Sequence, residues 1–224
     1  MINEKSSKIL LKQRVLLFEI AKRSIDIFSS IILLTLFSPI LIIISFCIKL
    51  SSPGPIIFRQ KRVGQGNRQF QMYKFRSMYI GDNDKFLKEQ YPELWEKYKK
   101  SDWKLPMNED PRITPIGKFI RATSLDEMPQ FINILKGEMS LVGPRAYRED
   151  ELCEYENKYP KTKQSIDIIR SAKPGLTGLW QTSGRNDLSF EKRARLDANY
   201  IKNRSFRQEL LIILKTPFSM LSRW

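Results

Sequence analysis

The segment from Ile27 to Ile48, IFSSIILLTLFSPILIIISFCI, contains no charged residue. As a straight α-helix it would extend roughly 33 Å at about 1.5 Å per residue, which is enough to cross the hydrocarbon core of a bilayer. A cleavable signal peptide is disfavoured because roughly two dozen residues, several of them charged, precede the segment and no small-residue cleavage pattern follows it. The sequence therefore predicts a helix embedded in a membrane.

Ser38 and Pro39 interrupt this segment near its middle. A proline removes one backbone hydrogen bond and clashes with the preceding turn, while a serine hydroxyl can bind the carbonyl that is left free. We therefore expect a bend at Ser38-Pro39. Basic residues flank both ends of the segment, and the positive-inside tendency cannot place both flanks in the cytoplasm if the helix crosses once. From the residues alone, a kinked span and a re-entrant helix that enters and leaves by the same face both stay open.

The charge of the chain predicts an anionic partner. Its 224 residues include 39 Lys and Arg against 24 Asp and Glu, a formal net charge of +15. Anionic membrane lipids, a phosphorylated substrate or nucleic acid would suit this balance. Nucleic acid is disfavoured because the sequence has no zinc-ligand spacing, no ordered RNA-binding aromatic motif and no histidine. Cys47 and Cys153 are isolated, which suits a reducing compartment and predicts no disulfide.

Helical periodicity dominates the rest of the chain, so the predicted fold class is mainly α with a small β-hairpin. The hairpin is predicted from Ile56 to Met78, with a Gly-rich turn. Amphipathic helices that could rest on the membrane interface are predicted at both ends of the chain. The predicted helices are Lys8–Arg23, Asp82–Ser101 with Pro92 kinking it or starting a second helix, Pro115–Arg121, Leu125–Lys136, Ser189–Asn203 and Phe206–Leu221.

Two adjacent acids, Asp126 and Glu127, stand in the stretch TSLDEMPQ of residues 123–130. One explanation is a capping box, in which Ser124 accepts a backbone N–H and Glu127 folds back on the cap. The other explanation is chemistry at a helix start. Apolar residues from Leu125 to Leu135 form a predicted buried stripe, which turns the opposite side of the helix toward solvent. The residues predicted on that opposite side are Asp126, Gln130 and Asn133.

Phosphate chemistry would explain the acidic pair together with the loops that follow it. A helix N-terminus favours anionic ligands, and Mg²⁺ commonly joins one or two carboxylates to substrate phosphates. Two Gly-rich regions, 141–145 and 173–186, would expose backbone N–H groups and aim Arg145 and Arg185 at phosphate oxygens. The sequence thus favours phosphoryl transfer between a charged, water-soluble donor and a lipid-borne acceptor.

The ordered motifs of the chain resemble those of the monotopic bacterial phosphoglycosyl transferases, which are undecaprenyl-phosphate sugar phosphotransferases. The resemblance extends from about residue 22 to residue 221. It rests on Ser38-Pro39, Ser52-Pro53-Gly54-Pro55, Lys74-Phe75-Arg76-Ser77-Met78, Asp110-Pro111-Arg112, residues 124–130, residues 136–145, Lys173–Gly178 and Ser183-Gly184-Arg185-Asn186. Ala146 and Thr182 depart from the usual pattern, which puts the shape of the two loops in doubt.

This resemblance implies a monotopic protein at the cytoplasmic face of the bacterial inner membrane. Residues 1–50 would form an amphipathic helix and a re-entrant helix broken at Ser38-Pro39, and residues 51–224 the catalytic domain. The family uses Mg²⁺, a UDP-sugar and undecaprenyl phosphate, and the motif variants here resemble those of galactose and glucose members. Capsule, O-antigen or exopolysaccharide synthesis would start with this step. Assembly into a homo-oligomer stays open.

The resemblance also implies roles for individual residues in a ping-pong reaction. Asp126 would be the nucleophile that forms a phosphosugar intermediate and expels UMP. Glu127 would assist in metal binding or proton transfer, with both carboxylates near Mg²⁺. The phosphate-binding residues would be Arg145 and Arg185, followed by Lys74 and Arg76. Two alternatives remain: direct, sequential transfer in which the acidic pair only binds metal, and a basic membrane-attached scaffold in which the pair is only a helix cap.

Overall fold

A computed structural model describes residues 4–101, 105–184 and 188–221, with side chains for 13–101, 105–184 and 188–219. Its first element is a single helix α1, Glu4–Ser51, which joins the amphipathic and the apolar segments predicted as separate elements. Within the described residues, α1 alone is long and apolar enough to cross a membrane. Large side chains along it, such as Phe28, Leu36 and Phe46, are about two-thirds exposed. The helix therefore presents an extended apolar surface to its surroundings.

The interruption at Ser38-Pro39 is visible in the hydrogen bonds of α1. Pro39 lies inside the helix and has no N–H to donate to the carbonyl of Thr35, one turn earlier. The Ser38 hydroxyl donates to that carbonyl over 2.8 Å. The expectation that Ser38 binds the freed carbonyl is thus confirmed, while the bend and the re-entrant path stay predictions.

The predicted hairpin is confirmed. Strands β1, Ile57–Val63, and β2, Gln69–Phe75, pair antiparallel around a 3₁₀ turn at Gln65–Asn67. A second pair, which the sequence does not predict, consists of two parallel strands of three residues each, β3 and β4. They span Ser140–Val142 and Gly175–Thr177.

Short helices make up most of the remaining structure, which confirms the mainly helical fold class. Pro92 begins a second helix, and the Thr114 hydroxyl caps the next one by accepting the Gly117 N–H at 3.0 Å. The helices in chain order are α2 Asn83–Gln90, α3 Pro92–Lys100, α4 Pro115–Ala122, α5 Gln130–Lys136, α6 Glu149–Lys158, α7 Lys163–Ser171, α8 Phe190–Lys202 and α9 Phe206–Leu221. Of these, α6 and α7 are not predicted from the sequence.

Polar side chains fasten the first part of α1 to the rest of the protein. The Lys22 ammonium pairs with the carboxylate of Glu209 on α9 at 2.5 Å. Asp26 accepts hydrogen bonds from the Ser140 hydroxyl at 2.8 Å and from the Leu141 N–H at 3.0 Å. These buried charges are paired, as burial of ionised groups requires. Strand β3 is thereby fixed against α1.

Apolar contacts fasten the last part of α1 to the same body. Ile44 and Ile48 are buried in a cluster with Phe75 of β2 and Ile120 of α4. Both sides of Pro39 are therefore held by the domain that carries the hairpin. The main core lies between α1, α5, α8, α9 and the strands, and includes Met72, Phe131, Ile134, Met139, Val142, Tyr200 and Ile212.

Candidate active site

The acidic pair lies on a 3₁₀ turn, Leu125–Glu127, that precedes α5. The sequence predicts an α-helix from Leu125, and this start is wrong. Pro129 has no N–H, so the Leu125 carbonyl accepts instead from the N–H of Met128, at 3.2 Å. The regular helix begins at Gln130 and ends at Gly137, whose positive φ of 82° completes the predicted stop. Asp126 and Glu127 therefore stand on a tight turn.

The capping box at this turn is not formed. Ser124 makes no side-chain cap hydrogen bond, and its backbone is left-handed with φ of 55°. Residues other than glycine are uncommon in that conformation, and such strain is frequent beside functional sites. The Glu127 carboxylate pairs with Lys74 Nζ at 2.7 Å. Helix capping thus does not account for these two acids.

Lys74 and Glu127 are brought together because α5 is tied to β2. The Asn133 amide donates to the Gln71 carbonyl at 2.7 Å and accepts from the Tyr73 N–H at 3.0 Å. The prediction that Asn133 faces away from the core is wrong, since its side chain is fully buried and satisfied. Placing Asn133 there fixes the register between the turn and the strand that carries Lys74.

The helical face predicted for this region is also corrected. Gln130 is buried, whereas Ile132, expected in the buried stripe, is 42% exposed. The predicted stripe assumes one continuous α-helix from Leu125. In the structure, a 3₁₀ turn precedes α5 and has a different rotation per residue. Residues after Pro129 therefore face directions that the sequence pattern does not give.

Burial raises the pKa of Asp126 to about 6, and the charge of Glu127 adds to this rise. The cations of Lys74 and Arg121 oppose it. A nucleophilic carboxylate must be ionised to react, and the charge of Lys74 favours the ionised form of Asp126. Partial burial places the same carboxylate in a low-dielectric environment, as is common for reactive groups.

A cleft of about 1390 Å³ lies over the acidic pair. The cleft is concave and several charged groups converge on it, which suits a substrate site. Both carboxylates line it, together with basic side chains from β1, β2, the last turn of α4 and the loop after β3: Arg62, Lys74, Arg121, Arg145 and Arg148. The arrangement can hold a polyanion against a carboxylate.

The two carboxylates fit a magnesium ion. Oxygen ligands from one or two acids, completed by substrate phosphates and water, are the usual set for Mg²⁺. Among the residues with described side chains, no group of three or more His, Cys, Asp or Glu could hold a metal by itself. A site at Asp126 and Glu127 would therefore depend on the substrate to complete the coordination.

Arg145 reaches the cleft from a loop that is packed too closely to move freely. The Gly143 N–H donates to the Thr177 carbonyl at 2.9 Å, and the Gly175 N–H to the Pro144 carbonyl at 2.8 Å. A Cβ on Gly143 would lie 2.6 Å from the carbonyl oxygen of Lys173, so only glycine fits there. The two Gly-rich regions thus meet at the β3–β4 pair, as a phosphate loop would require.

Asp197 supports this loop and is not indicated by any sequence motif. Its side chain is fully buried on α8, and Oδ2 accepts the backbone N–H of Arg145 at 3.1 Å. Burial raises the pKa of Asp197 to about 8, against the opposing charge of Arg145. The only available signal is an acid in the middle of a predicted amphipathic helix.

The remaining predicted phosphate residues differ in their placement. Arg76 lines the cleft, but it is buried, and its guanidinium donates to the carbonyls of Ile48, Ser52 and Pro53 at 2.7 to 3.0 Å. These bonds satisfy backbone carbonyl groups at the C-terminal end of α1, so Arg76 has a structural role. Its phosphate role stays a prediction that this geometry does not favour. Arg185 lies outside the described residues.

Several groups on the cleft wall are missing from the sequence-based prediction, among them Arg62, Arg121 and Arg148. Arg62 and Arg148 lie near Arg145, and a guanidinium nitrogen of Arg62 is 3.5 Å from Glu151. Burial and the nearby charge of Arg145 lower the pKa of Arg62 to about 10. The helical segment after β2 also lines this wall, although none of its residues is among the predicted site residues. Spacing along the chain cannot reveal a wall assembled from distant elements.

Comparison with known proteins gives a consistent result. Residues 17–223 match the model of the bacterial sugar transferase family. The chain is 40% identical over 207 residues to the exopolysaccharide production protein ExoY of Rhizobium meliloti, covering 91% of this chain and 87% of that protein. It is 42% identical over 208 residues to the undecaprenyl-phosphate galactose phosphotransferase of Salmonella typhimurium, covering 90% and 40% respectively.

A relative named for the transfer of glucose 1-phosphate matches a similar share of the chain. The UDP-glucose:undecaprenyl-phosphate glucose-1-phosphate transferase of Escherichia coli is 37% identical over 202 residues, which cover 88% of this chain and 39% of the relative. The chain thus spans nearly all of ExoY and about two-fifths of these two transferases.

Proposed function

Because the chain belongs to the bacterial sugar transferase family, we propose that it transfers a sugar 1-phosphate from a UDP-sugar to undecaprenyl phosphate. The names of the relatives support galactose or glucose as the sugar and exopolysaccharide synthesis as the pathway. The observation that carries most weight is Asp126 on the wall of the cleft, beside the Lys74–Glu127 ion pair. An acid placed among cations in a large cleft suits reaction with a diphosphate.

In the proposed ping-pong reaction, an Asp126 carboxylate oxygen attacks the sugar-bearing phosphorus of the donor. A bond forms between that oxygen and phosphorus, and the bond from phosphorus to the bridging oxygen breaks, so that UMP leaves with the bond electrons. A phosphate oxygen of undecaprenyl phosphate then attacks the same phosphorus and displaces Asp126. Splitting the transfer into two displacements lets UMP depart before the lipid reacts.

Residues around Asp126 bind and orient the donor. Arg145 and Lys74 would hold the phosphate oxygens, since guanidinium and ammonium groups bind phosphate strongly. Glu127 keeps Lys74 in place through their 2.7 Å contact. Asp126 and Glu127 would hold Mg²⁺, which when bound supplies neutralisation of the charge that develops on the phosphates.

The placement of α1 supports a location at the cytoplasmic face of the bacterial inner membrane. The helix has an exposed apolar surface around Pro39, and the same domain binds it before and after this residue. A re-entrant path, in which both ends return to the cytoplasmic side, accommodates these contacts without placing the charged domain in lipid. Exposed apolar residues of α9, among them Leu210, Leu214 and Phe218, would rest in the interface.

The test is release of UMP in the absence of lipid acceptor. Purified protein with Mg²⁺ and a panel of UDP-sugars should release UMP in an amount equal to the enzyme and gain the mass of a sugar phosphate on Asp126. Asp126→Asn should abolish both. Asp167→Asn, which changes an exposed carboxylate on α7, is the matched control and should keep full activity.

The same assay judges the alternatives. UMP release that requires polyprenyl phosphate, with no labelled protein, would favour sequential transfer in which the acidic pair binds only metal. Full function in Asp126→Asn without need of magnesium would favour a scaffold. The ion pair of Glu127 with Lys74 and the missing capping box weigh against the scaffold.

A further inference from the structure

The segment of α2 and α3, residues 83–100, forms a helical hairpin with little core of its own. Leu87 is buried in α2, and no residue of α3 is buried. Within the described chain, these two helices pack mainly on each other, and their aromatic rings meet in the pairs Phe86–Tyr91 and Trp95–Tyr98. Leu87 is fully buried, but apart from it the α2–α3 hairpin offers little hydrophobic burial that would hold it against the protein.

One guanidinium, that of Arg112, touches both helices. Its Nε and Nη2 donate to the two carboxylate oxygens of Asp110, each at 2.8 Å, and Nη1 lies 3.2 Å from a carboxylate oxygen of Asp84 on α2. Its plane lies over the ring of Tyr98 on α3, 4.4 Å from the centroid. Arg112 thus links both helices to the loop before α4, and the more exposed ion pair of Lys97 with Glu109, at 2.5 Å, adds a second link from α3.

Arg112 is itself held firmly by the body of the protein. Its carbonyl accepts the Tyr79 N–H at 2.9 Å, and the next residue, Ile113, forms a bridge with Met78. The side chains of Arg112 and Asp110 are each 4% exposed. The bidentate Arg112–Asp110 pair is therefore fixed in the body of the protein. The side chain of Asp84, in contrast, is 60% exposed and belongs to the α2–α3 hairpin, which has few buried residues.

The α2–α3 hairpin contributes Asn83, Lys97 and Tyr98 to the wall of the cleft that Asp126 and Arg145 also line. The donor must fit between these walls if the proposed function holds. Arg112 also lines the cleft, but its nitrogens are paired with carboxylates and its face is covered by Tyr98. Its effect on the donor would therefore pass through the wall that it fastens.

We propose that Arg112 is a positioning residue, which latches the α2–α3 hairpin as a wall of the cleft and so increases affinity for the nucleotide-sugar donor. This proposal rests on the proposed function for the identity of the donor. The contacts of Arg112 with Asp84 and Tyr98 are polar or lie near the surface, and Asp84 is 60% exposed. These contacts can therefore break without unfolding of the core. Regions held by few buried apolar contacts open locally at low free-energy cost.

The test uses the double variant Asp84→Ala with Tyr98→Leu, which removes both hairpin contacts of Arg112 and leaves the buried Asp110–Arg112 pair intact. In full-length protein in lipid nanodiscs, amide hydrogen exchange over residues 83–100 should accelerate by about tenfold or more, while residues 140–142 keep their protection. The KM for the UDP-sugar and the Kd for UDP should each rise about tenfold, with kcat for UMP release changed by less than about threefold.

Arg170→Gln provides the matched control. Arg170 is also a largely buried arginine, paired with Glu149 at 2.9 Å and Glu156 at 3.5 Å, but it does not line the cleft. This variant should lower the melting temperature without moving KM or the exchange of residues 83–100. A general loss of stability is thereby separated from a displaced wall.

Two results would overturn the proposal. One is unchanged exchange over residues 83–100 in the double variant, and the other is faster exchange with unchanged KM and unchanged Kd for UDP. Failure of the proposed function looks different. In that case, the unmodified protein releases no UMP from any UDP-sugar, while the exchange and UDP-binding measurements still decide whether the latch holds a nucleotide-binding wall.

Discussion

Among the contacts between single residues, the ion pair of Lys74 with Glu127 acts most directly on the two carboxylates. Lys74 holds Glu127 at 2.7 Å and is the cation that most strongly opposes the rise in the pKa of Asp126. Lys74→Met should lower the rate of UMP release by about 100-fold, because the nucleophile loses its neighbouring charge and the phosphates lose a partner.

The measurement is single-turnover UMP release at saturating donor. Lys61→Met, which removes an exposed lysine from β1 of the same hairpin, is the control and should change the rate little. A Lys74→Met protein that keeps its rate within a factor of about two would show that this lysine has no part in the chemistry.

Asp197 makes the stability of the protein depend on pH. Its pKa is raised from 3.8 to about 8 by burial, so the folded protein keeps a proton that the unfolded chain releases. Stability should therefore fall as pH rises from about 4 to about 8 and level off above that range. Asp197→Asn cannot ionise and should not show this loss of stability. The melting temperature of the variant should therefore rise relative to that of the unmodified protein as pH increases.

Melting temperatures of both proteins between pH 5 and 9 provide the check. Arg145 and Tyr147 are the charged or titratable groups with which Asp197 interacts, and neither changes its charge in the window that the pKa of Asp197 defines. Parallel curves for the two proteins would mean that Asp197 does not carry the pH dependence.

At this scale, residue types in sequence predicted Asp126, Glu127 and Arg145 as members of one site, because acids and loop arginines near glycines are typical of phosphate chemistry. The structure places them around one cleft. The sequence could not separate Arg76, which binds helix-end carbonyls, from Lys74 two residues earlier. It also could not indicate Asn133 or Asp197, since their importance comes from burial and from backbone partners on other elements.

Among the elements, the end of α1 depends on one buried side chain. Arg76 donates to three carbonyls there, at Ile48, Ser52 and Pro53. Arg76→Met should lower the free energy of unfolding by about 3 kcal/mol, because buried carbonyls are left without donors. Arg59→Met, on the exposed face of β1, is the matched control.

Melting temperatures in detergent micelles would measure this difference. UMP release by the Arg76→Met protein, measured at a low temperature at which the variant is folded, then tests whether Arg76 also binds phosphate. Activity close to that of the unmodified protein agrees with a structural task, whereas a large loss in folded protein would restore Arg76 to the phosphate site.

Elements with strong local signals were predictable, and those made by distant pairing were not. The hairpin, α3 and α9 follow from apolar periodicity, proline positions and a Gly-rich turn. Strands β3 and β4 have three residues each, too few for a pattern, and they exist because residues 140 and 175 meet. The start of α5 was misplaced because Pro129 removes the hydrogen bond that a helix from Leu125 needs.

For the whole molecule, the path of α1 through the membrane decides the topology. The domain binds α1 at Lys22 and again at Ile48, so both ends should lie on the cytoplasmic side. In a variant whose two native cysteines are replaced, a single cysteine introduced by Gln13→Cys should react with a membrane-impermeant maleimide only after the cells are lysed.

Asp82→Cys, placed beyond the other end of α1, should behave in the same way and serves as the cytoplasmic reference. Labelling of Gln13→Cys in intact spheroplasts, with Asp82→Cys still protected, would establish a single crossing. The sequence alone left these two paths open because a proline occurs in both, and the contacts of the folded domain are what favour the re-entrant one.

The ion pair between Lys22 and Glu209 joins residues that are 187 positions apart. A ribosome adds about 5 to 20 residues per second, so Lys22 waits many seconds for its partner during synthesis. The apolar stretch of α1 can enter the lipid long before that time. Translation of α9 is therefore the event that completes the fold, and a nascent chain stopped before Glu209 would be attached to the membrane while still unfinished.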